Sequence, residues 1–463
     1  MTADPPPPAP VFSPLHAVHV AANASFTDFA GWQMPVRYSG DLAEHHAVRT
    51  AAAIFDLSHM AELSIHGPDA AAFLDYALAG KLSAIALGQA KYSLLLAPSG
   101  GIIDDVVVYR TGESEFMVVA NAGNHEVAFE TLLERSAPFD VEVVDISDDL
   151  ALIAVQGPRS REIVAATTAL AFDVVKPGTV HTDTVHTDTL QVGTVQTDTA
   201  QVDTVQVDTP RSAPDARSLE SLKYYWSLTA AYSGEPILVA RTGYTGEDGF
   251  ELYVPVRLAA ELWRDLVTAG EPYGLIPAGL ASRDTLRLEA GMPLYGHELS
   301  LDTLPAQAGL GRVPNLSKGD FVGRAALENA ASAPTALGAE TGGAPSAFVD
   351  EGETHSPSTP SRVLVGLVGD GKRAARAGYP LYADDTPGGT LDNAAGDTHD
   401  DPAPAPIGEI TSGVLSPTLG VPIAMAYLDP AFAAEGTAVS VDVRGKRLPF
   451  RVTPLPFYSR KRA

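Results

Sequence analysis

Apolar residues recur at helical spacing in "PDAAAFLDYALAG", where Phe73, Leu74 and Leu78 fall on one side and Gly80 supplies a stop. The period then changes. "KYSLLLAP" and "GIIDDVVVYR" read as two strands joined by a turn over residues 98–101, and "EFMVVANA" reads as a third. "HEVAFETLLERSA" returns to helical spacing, and "LALIAVQGPRSREIVAAT" predicts a strand, a Gly-Pro turn and a helix. Further on, "SLKYYWSLTAAYSGEPILVARTGYTGEDGFELYVPV" predicts several strands separated by glycine turns. Two helices follow, "LAAELWRDLVTAG" and "PAGLASRDTLRLEAG". Strands and segregated helices in this mixture predict an α+β fold. From "RVLVGLVGDG" onward, strands and frequent turns through "GEITSGVLSPTLGVPIAMAYL" and "VSVDVRGKRLPFRVTPLPFY" predict a small β-barrel.

Several stretches break these patterns. Residues 1–12 form a leader expected to be disordered, stiff and proline-rich over residues 5–10. Residues 179–209 repeat with period five, "TVHTD TVHTD TLQVG TVQTD", which matches neither a helix nor a strand. That segment lacks large apolar residues and reads as a disordered insertion, too short and polar for a solenoid. His181 and His186 within it have no third ligand at metal-site spacing. Residues 331–361 read as a linker, and residues 384–406 interrupt the barrel.

Composition narrows the class. The chain has 463 residues, enough for two or three domains, and no cysteine, so disulfides, thiolate metal sites and cysteine nucleophiles are excluded. Its net charge of −26 disfavours nucleic acid and anionic membranes as partners. "MTADPPPPAP" resembles neither a secretory signal nor a transit peptide, and no apolar run is long enough to span a bilayer. A cytoplasmic protein is the expectation.

Strand alternation singles out the candidate chemistry. In "SGGIIDDVVVYR", Asp105, Val107 and Tyr109 share one face, while Asp104, Val106 and Val108 share the other. Two readings stay open: a pair of acids at a solvated turn, which spacing alone favours, or one acid held in a pocket. In "RTGYTGEDGFELYVPV", Phe250, Leu252 and Val254 form an apolar face opposite Glu251 and Tyr253. Gly243, Gly246 and Gly249 read as tight turns, since Walker and dinucleotide spacings are absent. Arg283 and Arg287 lie one helical turn apart, and a surface salt bridge to Asp284 and Glu289 is the simple reading. His45, His46 and His59 show no HExxH or other ligand pattern and read as structural, and no G-x-S-x-G elbow supports a serine hydrolase.

Six ordered motifs carry a resemblance. "DFAGWQMPVRY", "EHHAVRTAAAIFDLSHM", "SGGIIDDVVVYR", "RTGYTGEDGFEL", "ASRDTLRLEAGMPLYGHEL" and "GEITSGVLSPTLG" are similar to successive signatures of the glycine cleavage system T protein family. The resemblance spans residues 13–458 and implies a tetrahydrofolate-dependent aminomethyltransferase. In that reaction a lipoylated H protein presents an aminomethyl group on its lipoyl arm, within a system that also contains P and L proteins. The one-carbon unit passes to tetrahydrofolate, and ammonia and 5,10-methylenetetrahydrofolate are formed.

By motif position, the resemblance makes Asp105 the essential acid and Glu251 the pterin-binding acid. It makes Arg283 the basic partner, and it places Tyr92, Val107, Tyr109, Tyr224, Tyr225 and Tyr244 against the folate. Tyr458 or Arg460 closes the site. The implied fold is α+β, with three domains around a central channel. Residues 13–55 and 146–330 form a discontinuous folate-binding domain carrying a low-complexity insertion over 176–212. Residues 56–145 form a ferredoxin-like unit, and residues 362–463 form the C-terminal barrel. The insertion precedes "KYYW" and must loop away from the pocket, and Met292 stands where some relatives carry an aromatic residue.

The rival readings are weaker. Relatives acting in iron–sulfur protein maintenance carry a cysteine where this chain has "SKGDFVGRAAL". Folate-linked oxidases need a flavin domain, and no Rossmann fingerprint is present. A folate-dependent demethylase and a non-catalytic folate-binding relative remain as alternatives. The joint presence of Asp105, Glu251 and Arg283 argues against the latter.

Overall fold

A computed structural model describes residues 9–172, 218–332, 362–383 and 405–460. The period-five insertion, most of the 331–361 linker, nearly all of the 384–406 interruption and the first eight residues of the leader lie outside the described residues. Val11 and Phe12, assigned above to the leader, form a short strand parallel to Trp32 and Gln33.

The fold is α+β, with two large sheets stacked on each other. The seven-stranded sheet runs in the order Leu170–Ala171, Ser227–Tyr232, Glu235–Ala240, Gly249–Pro255, Leu150–Gln156, Ala52–Asp56 and Leu275–Pro277. The five-stranded sheet runs Ala90–Leu96, Ile102–Arg110, Glu115–Ala120, Ala61–His66 and Glu142–Asp145. Each sheet has an outer face covered by helices. Phe250, Leu252 and Val254 pack with Leu262, Trp263 and Leu266 of the Val256–Gly270 helix. Val106, Val108 and Val118 pack with Phe73, Leu74 and Leu132 of the Ala70–Ala77 and His125–Ser136 helices. Full burial of each such side chain contributes about 2 kcal/mol.

The inner faces meet, and Tyr109, Met117 and Val119 pack against Phe55, Leu152, Ala154 and Tyr253. Period-two alternation therefore turns two particular sets of residues toward each other. Asp105, Val107 and Tyr109 come from one sheet, and Glu251 and Tyr253 come from the other. Backbone bonds stitch the layers beside this space. Ala90 N–H donates to Tyr225 O at 2.8 Å, and Ser227 N–H donates to Gly88 O at 2.7 Å.

The C-terminal unit is a closed six-stranded barrel, ordered Val363–Gly369, Pro422–Leu428, Gly408–Leu415, Pro380–Ala383, Ala438–Asp442 and Arg447–Thr453. Ile423 and Met425 seat it against Leu288 of the Leu280–Glu289 helix. That helix starts after Gly279, where a Cβ would collide with the backbone of Val36 and Arg37. The Gly279 N–H is held by Oε2 of buried Glu44 at 2.9 Å. Close approach therefore demands glycine here and fixes where the helix begins. Among the described residues, no helix is long and apolar enough to cross a membrane.

Candidate active site

The acidic pair does not sit at a solvated turn, as spacing alone favoured. Asp104 is fully buried on the helix-covered face, and Asp105 is partly buried on the inner face. Both can be accommodated because each carboxyl finds donors. Tyr92 donates to Oδ2 of Asp105 at 3.1 Å, and the Asn121 amide donates to Oδ1 at 2.8 Å. Burial raises the pKa of Asp105, and these two bonds oppose the rise.

Glu251 projects from the facing sheet. Its Oε2 accepts bonds from the hydroxyl of Thr242 and, at 3.4 Å, from that of Tyr109. Tyr253 donates in turn to Tyr109 at 3.2 Å. Both bonds to the carboxylate fall on Oε2, and among the described residues none falls on Oε1. Burial raises the Glu251 pKa, while Thr242, the positive charge of Arg283 and Tyr109 lower it.

The glycines beside this strand do more than turn the chain. Gly246 has φ +77° and does serve a turn. At Gly243 and Gly249, however, a Cβ would collide with the Gln156 side chain. Gln156 fills that space, donating to Thr242 O at 3.1 Å and accepting from Thr245 at 3.0 Å. It thereby steadies the residue that holds Glu251.

Arg283 lies with its guanidinium 4.8 Å from the centre of the Tyr244 ring. Its charge also acts on His59, which is buried with Nδ1 unpartnered among the described residues. Burial first, and Arg283 second, push the His59 pKa down to about 4. His59 is therefore held neutral near pH 7.

Arg287 departs from expectation. It is not at the surface: only 1% exposed, it pairs with Asp284 and, at 2.9 Å, with buried Glu298, and it donates to Ser412 of the barrel at 2.8 Å. Glu289 is not its partner. Glu289 instead receives Arg49 at 2.9 Å and the Thr418 N–H at 3.0 Å, together with the Ser416 and Thr418 hydroxyls. A charge assigned to a helix surface by spacing alone becomes a core charge because the barrel covers that surface.

Tyr92 and Tyr225 line a cleft of about 590 Å³ with Lys91 and residues 312–317. Tyr224 and Tyr225 meet edge to face, with ring centres 5.0 Å apart. Arg460 lies 5.7 Å from the Tyr224 ring and 3.4 Å from Asp248, so the tail does reach this tyrosine pair. Tyr458 sits apart from it: its ring stacks under Arg49 at 4.1 Å and its N–H donates to Glu289 O at 2.8 Å.

Comparison with known proteins settles the relationship. A family model described as the GCVT N-terminal domain matches residues 15–196 and 194–318, and one described as the glycine cleavage T-protein C-terminal barrel domain matches residues 362–459. The chain belongs to the glycine cleavage T-protein family. An aminomethyltransferase of Cutibacterium acnes is 50% identical over 449 residues, covering 97% of this chain and 98% of its own. Another, from Streptomyces coelicolor, is 46% identical over 450 residues, covering 97% of each. The crystal structure of the glycine cleavage system aminomethyltransferase T from Bartonella henselae superposes with a TM-score of 0.72. It is 31% identical and covers 96% of this chain and 98% of its own. This T-protein family member is accordingly an enzyme of the aminomethyltransferase class.

Four residues of the site were not anticipated: Asn121, Thr242, Gln156 and Asn124. Each is a single polar residue near a strand end, with no spacing signal to mark it. Only the folded structure shows that Asn121 bonds Asp104 and Asp105, Asn124 bonds Asp104, Thr242 bonds Glu251, and Gln156 bonds the Thr242 carbonyl.

Proposed function

We propose that this enzyme transfers the one-carbon unit of an aminomethylated lipoyl arm, carried by an H protein, to tetrahydrofolate. Ammonia, 5,10-methylenetetrahydrofolate and the dihydrolipoyl arm are the products, in a cytoplasmic glycine cleavage system. The observation that carries this reading is the convergence of Asp105 and Glu251 from two sheets onto one interlayer space. The donor set suits a reduced pterin. A pterin presents a ring N–H beside an exocyclic amine, and a carboxylate accepts that pair of donors. Glu251 keeps Oε1 free for this while Thr242 and Tyr109 fix Oε2. Arg283 supplies a donor for the ring carbonyl, and Tyr92, Tyr225 and Tyr244 supply flat apolar walls beside Val107. Tyr224 and Arg460 close the outer side.

When bound, tetrahydrofolate supplies two nitrogen nucleophiles, whose two protons balance the ammonia and thiol released. The chain's part is to hold the cofactor's ring at Glu251 and to place Asp105 at the reacting nitrogens. There the carboxyl stabilises developing positive charge or accepts a proton. The test is an assay with aminomethylated H protein and tetrahydrofolate, following methylenetetrahydrofolate and ammonia together. Stoichiometric formation of both is expected. Ammonia release indifferent to tetrahydrofolate would refute the reading, and methyl-group loss from a small methylated amine would favour the demethylase.

A further inference from the structure

Asp104 is a buried acid that the reaction above does not use. It is 0% exposed, on the face opposite Asp105, among Val106, Val108 and the helices that cover them. Yet it is not isolated from Asp105. The Asn121 side-chain amide donates to Oδ1 of Asp104 at 2.7 Å and to Oδ1 of Asp105 at 2.8 Å. The same amide also reaches the Asp105 carbonyl at 3.2 Å. One NH₂ group thus spans two carboxyls on opposite faces of a strand. Two further donors hold Asp104 alone: the Asn121 N–H at 2.9 Å and the Asn124 amide at 2.7 Å.

We propose that Asp104 is a positioning residue for Asp105, fixing its orientation through the Asn121 amide that both carboxyls share. The inference rests on the reading of Asp105 as the reacting acid, but its physical content is separate from that reading.

The surroundings support a direct effect. The titratable groups facing the pair are Tyr92 from the Ala90–Leu96 strand, Tyr225 and Tyr244 from the loops of the other sheet, and Tyr295 from the loop after the Leu280–Glu289 helix. Burial pushes all four hydroxyls up, so they stay neutral around pH 7. Among the described residues this leaves Asp104 as the charge that Asp105 meets next door. Burial, and then the charge of Asp105, raise Asp104 to about 7, so Asp104 is the later of the pair to ionise. Once charged, it holds the Asn121 amide through a charge-assisted bond, and the hold on Asp105 tightens.

The experiment compares Asp104→Asn and Asn124→Ala with the wild type, measuring kcat and KM for tetrahydrofolate across pH 5.5–9. In the wild type kcat should rise as Asp104 ionises and grips Asn121, and this step should vanish in Asp104→Asn with KM little changed. Asn124→Ala removes a donor from Asp104 only. It makes that charge costlier, so the step should move to higher pH. A merely structural role would lower kcat at every pH and leave the step in place, which would overturn the proposal. Carboxyl ¹³C shifts of aspartate-labelled protein, assigned with Asp105→Asn, give a readout independent of activity. Two linked titrations in the wild type should become a single one in Asp104→Asn, and in the wild type the Asp105 resonance should shift as Asp104 titrates. An Asp105 resonance indifferent to that later titration overturns the proposal, whereas full activity of Asp105→Asn would refute only the catalytic reading.

Discussion

Tyr109 reaches from the five-stranded sheet to the seven-stranded sheet, and its hydroxyl lies 3.4 Å from Oε2 of Glu251. Its own strand also carries Asp105 on the same face. A single strand therefore sets the position of Asp105, proposed above as the reacting acid, and braces Glu251, proposed above to hold the pterin. Replacing Tyr109 with Phe keeps the ring and removes the brace. Tetrahydrofolate should bind about fivefold more weakly, matching a lost hydrogen bond of about 1 kcal/mol, while kcat falls less. Equilibrium binding followed by fluorescence checks this, and unchanged affinity would detach Tyr109 from the site.

Asp105→Asn retains the shape of the side chain and removes its charge. Affinity for tetrahydrofolate should stay within about tenfold, roughly 1.4 kcal/mol, while turnover falls by about a hundredfold or more. Single-turnover kinetics separate the two effects. Wild-type turnover would remove Asp105 from the reaction.

Arg283→Lys preserves charge but not the planar fork that lies against Tyr244. We expect tetrahydrofolate affinity to drop about tenfold with little change in thermal stability. A matched loss of stability would indicate that Arg283 serves packing more than binding.

Acid should unfold the protein through two buried groups acting in adjacent windows. His59 has its pKa lowered by burial and by Arg283 to about 4. Its contribution is complete above the ordinary histidine range and is lost as pH falls toward 4. Glu289 is driven to about 2, because its bonds from His45, Ser416 and Thr418 outweigh the burial that alone would raise it. Its contribution, about 3 kcal/mol, is complete above the ordinary glutamate range and is lost as pH falls through about 2. Urea midpoints measured against pH should flatten in the upper window for His59→Gln and in the lower window for Glu289→Gln. Unaltered slopes would contradict the assignments.

Much of this architecture was legible from periodicity. Alternation alone grouped Asp105 with Tyr109 and Glu251 with Tyr253, and those two faces are the ones that meet. It could not show that they meet, since stacking of two sheets is a long-range event with no local mark. The same gap explains the errors. Asp104 looked solvated because an acid at a strand end usually is, until the Asn121 and Asn124 amides are seen above it. Arg287 and Glu289 looked like surface charges because helical spacing does not show that a barrel docks over that face.

The Leu280–Glu289 helix carries Arg283 toward the pocket, Arg287 into Ser412, and Glu289 into Ser416 and Thr418. The barrel is thus keyed to the catalytic core through polar teeth on one short rod. A barrel borrowed from a distant relative could not be grafted on as a cassette. Unless its own hydroxyls fell opposite Arg287 and Glu289, the hybrid would strand two buried charges and tilt the helix that carries Arg283.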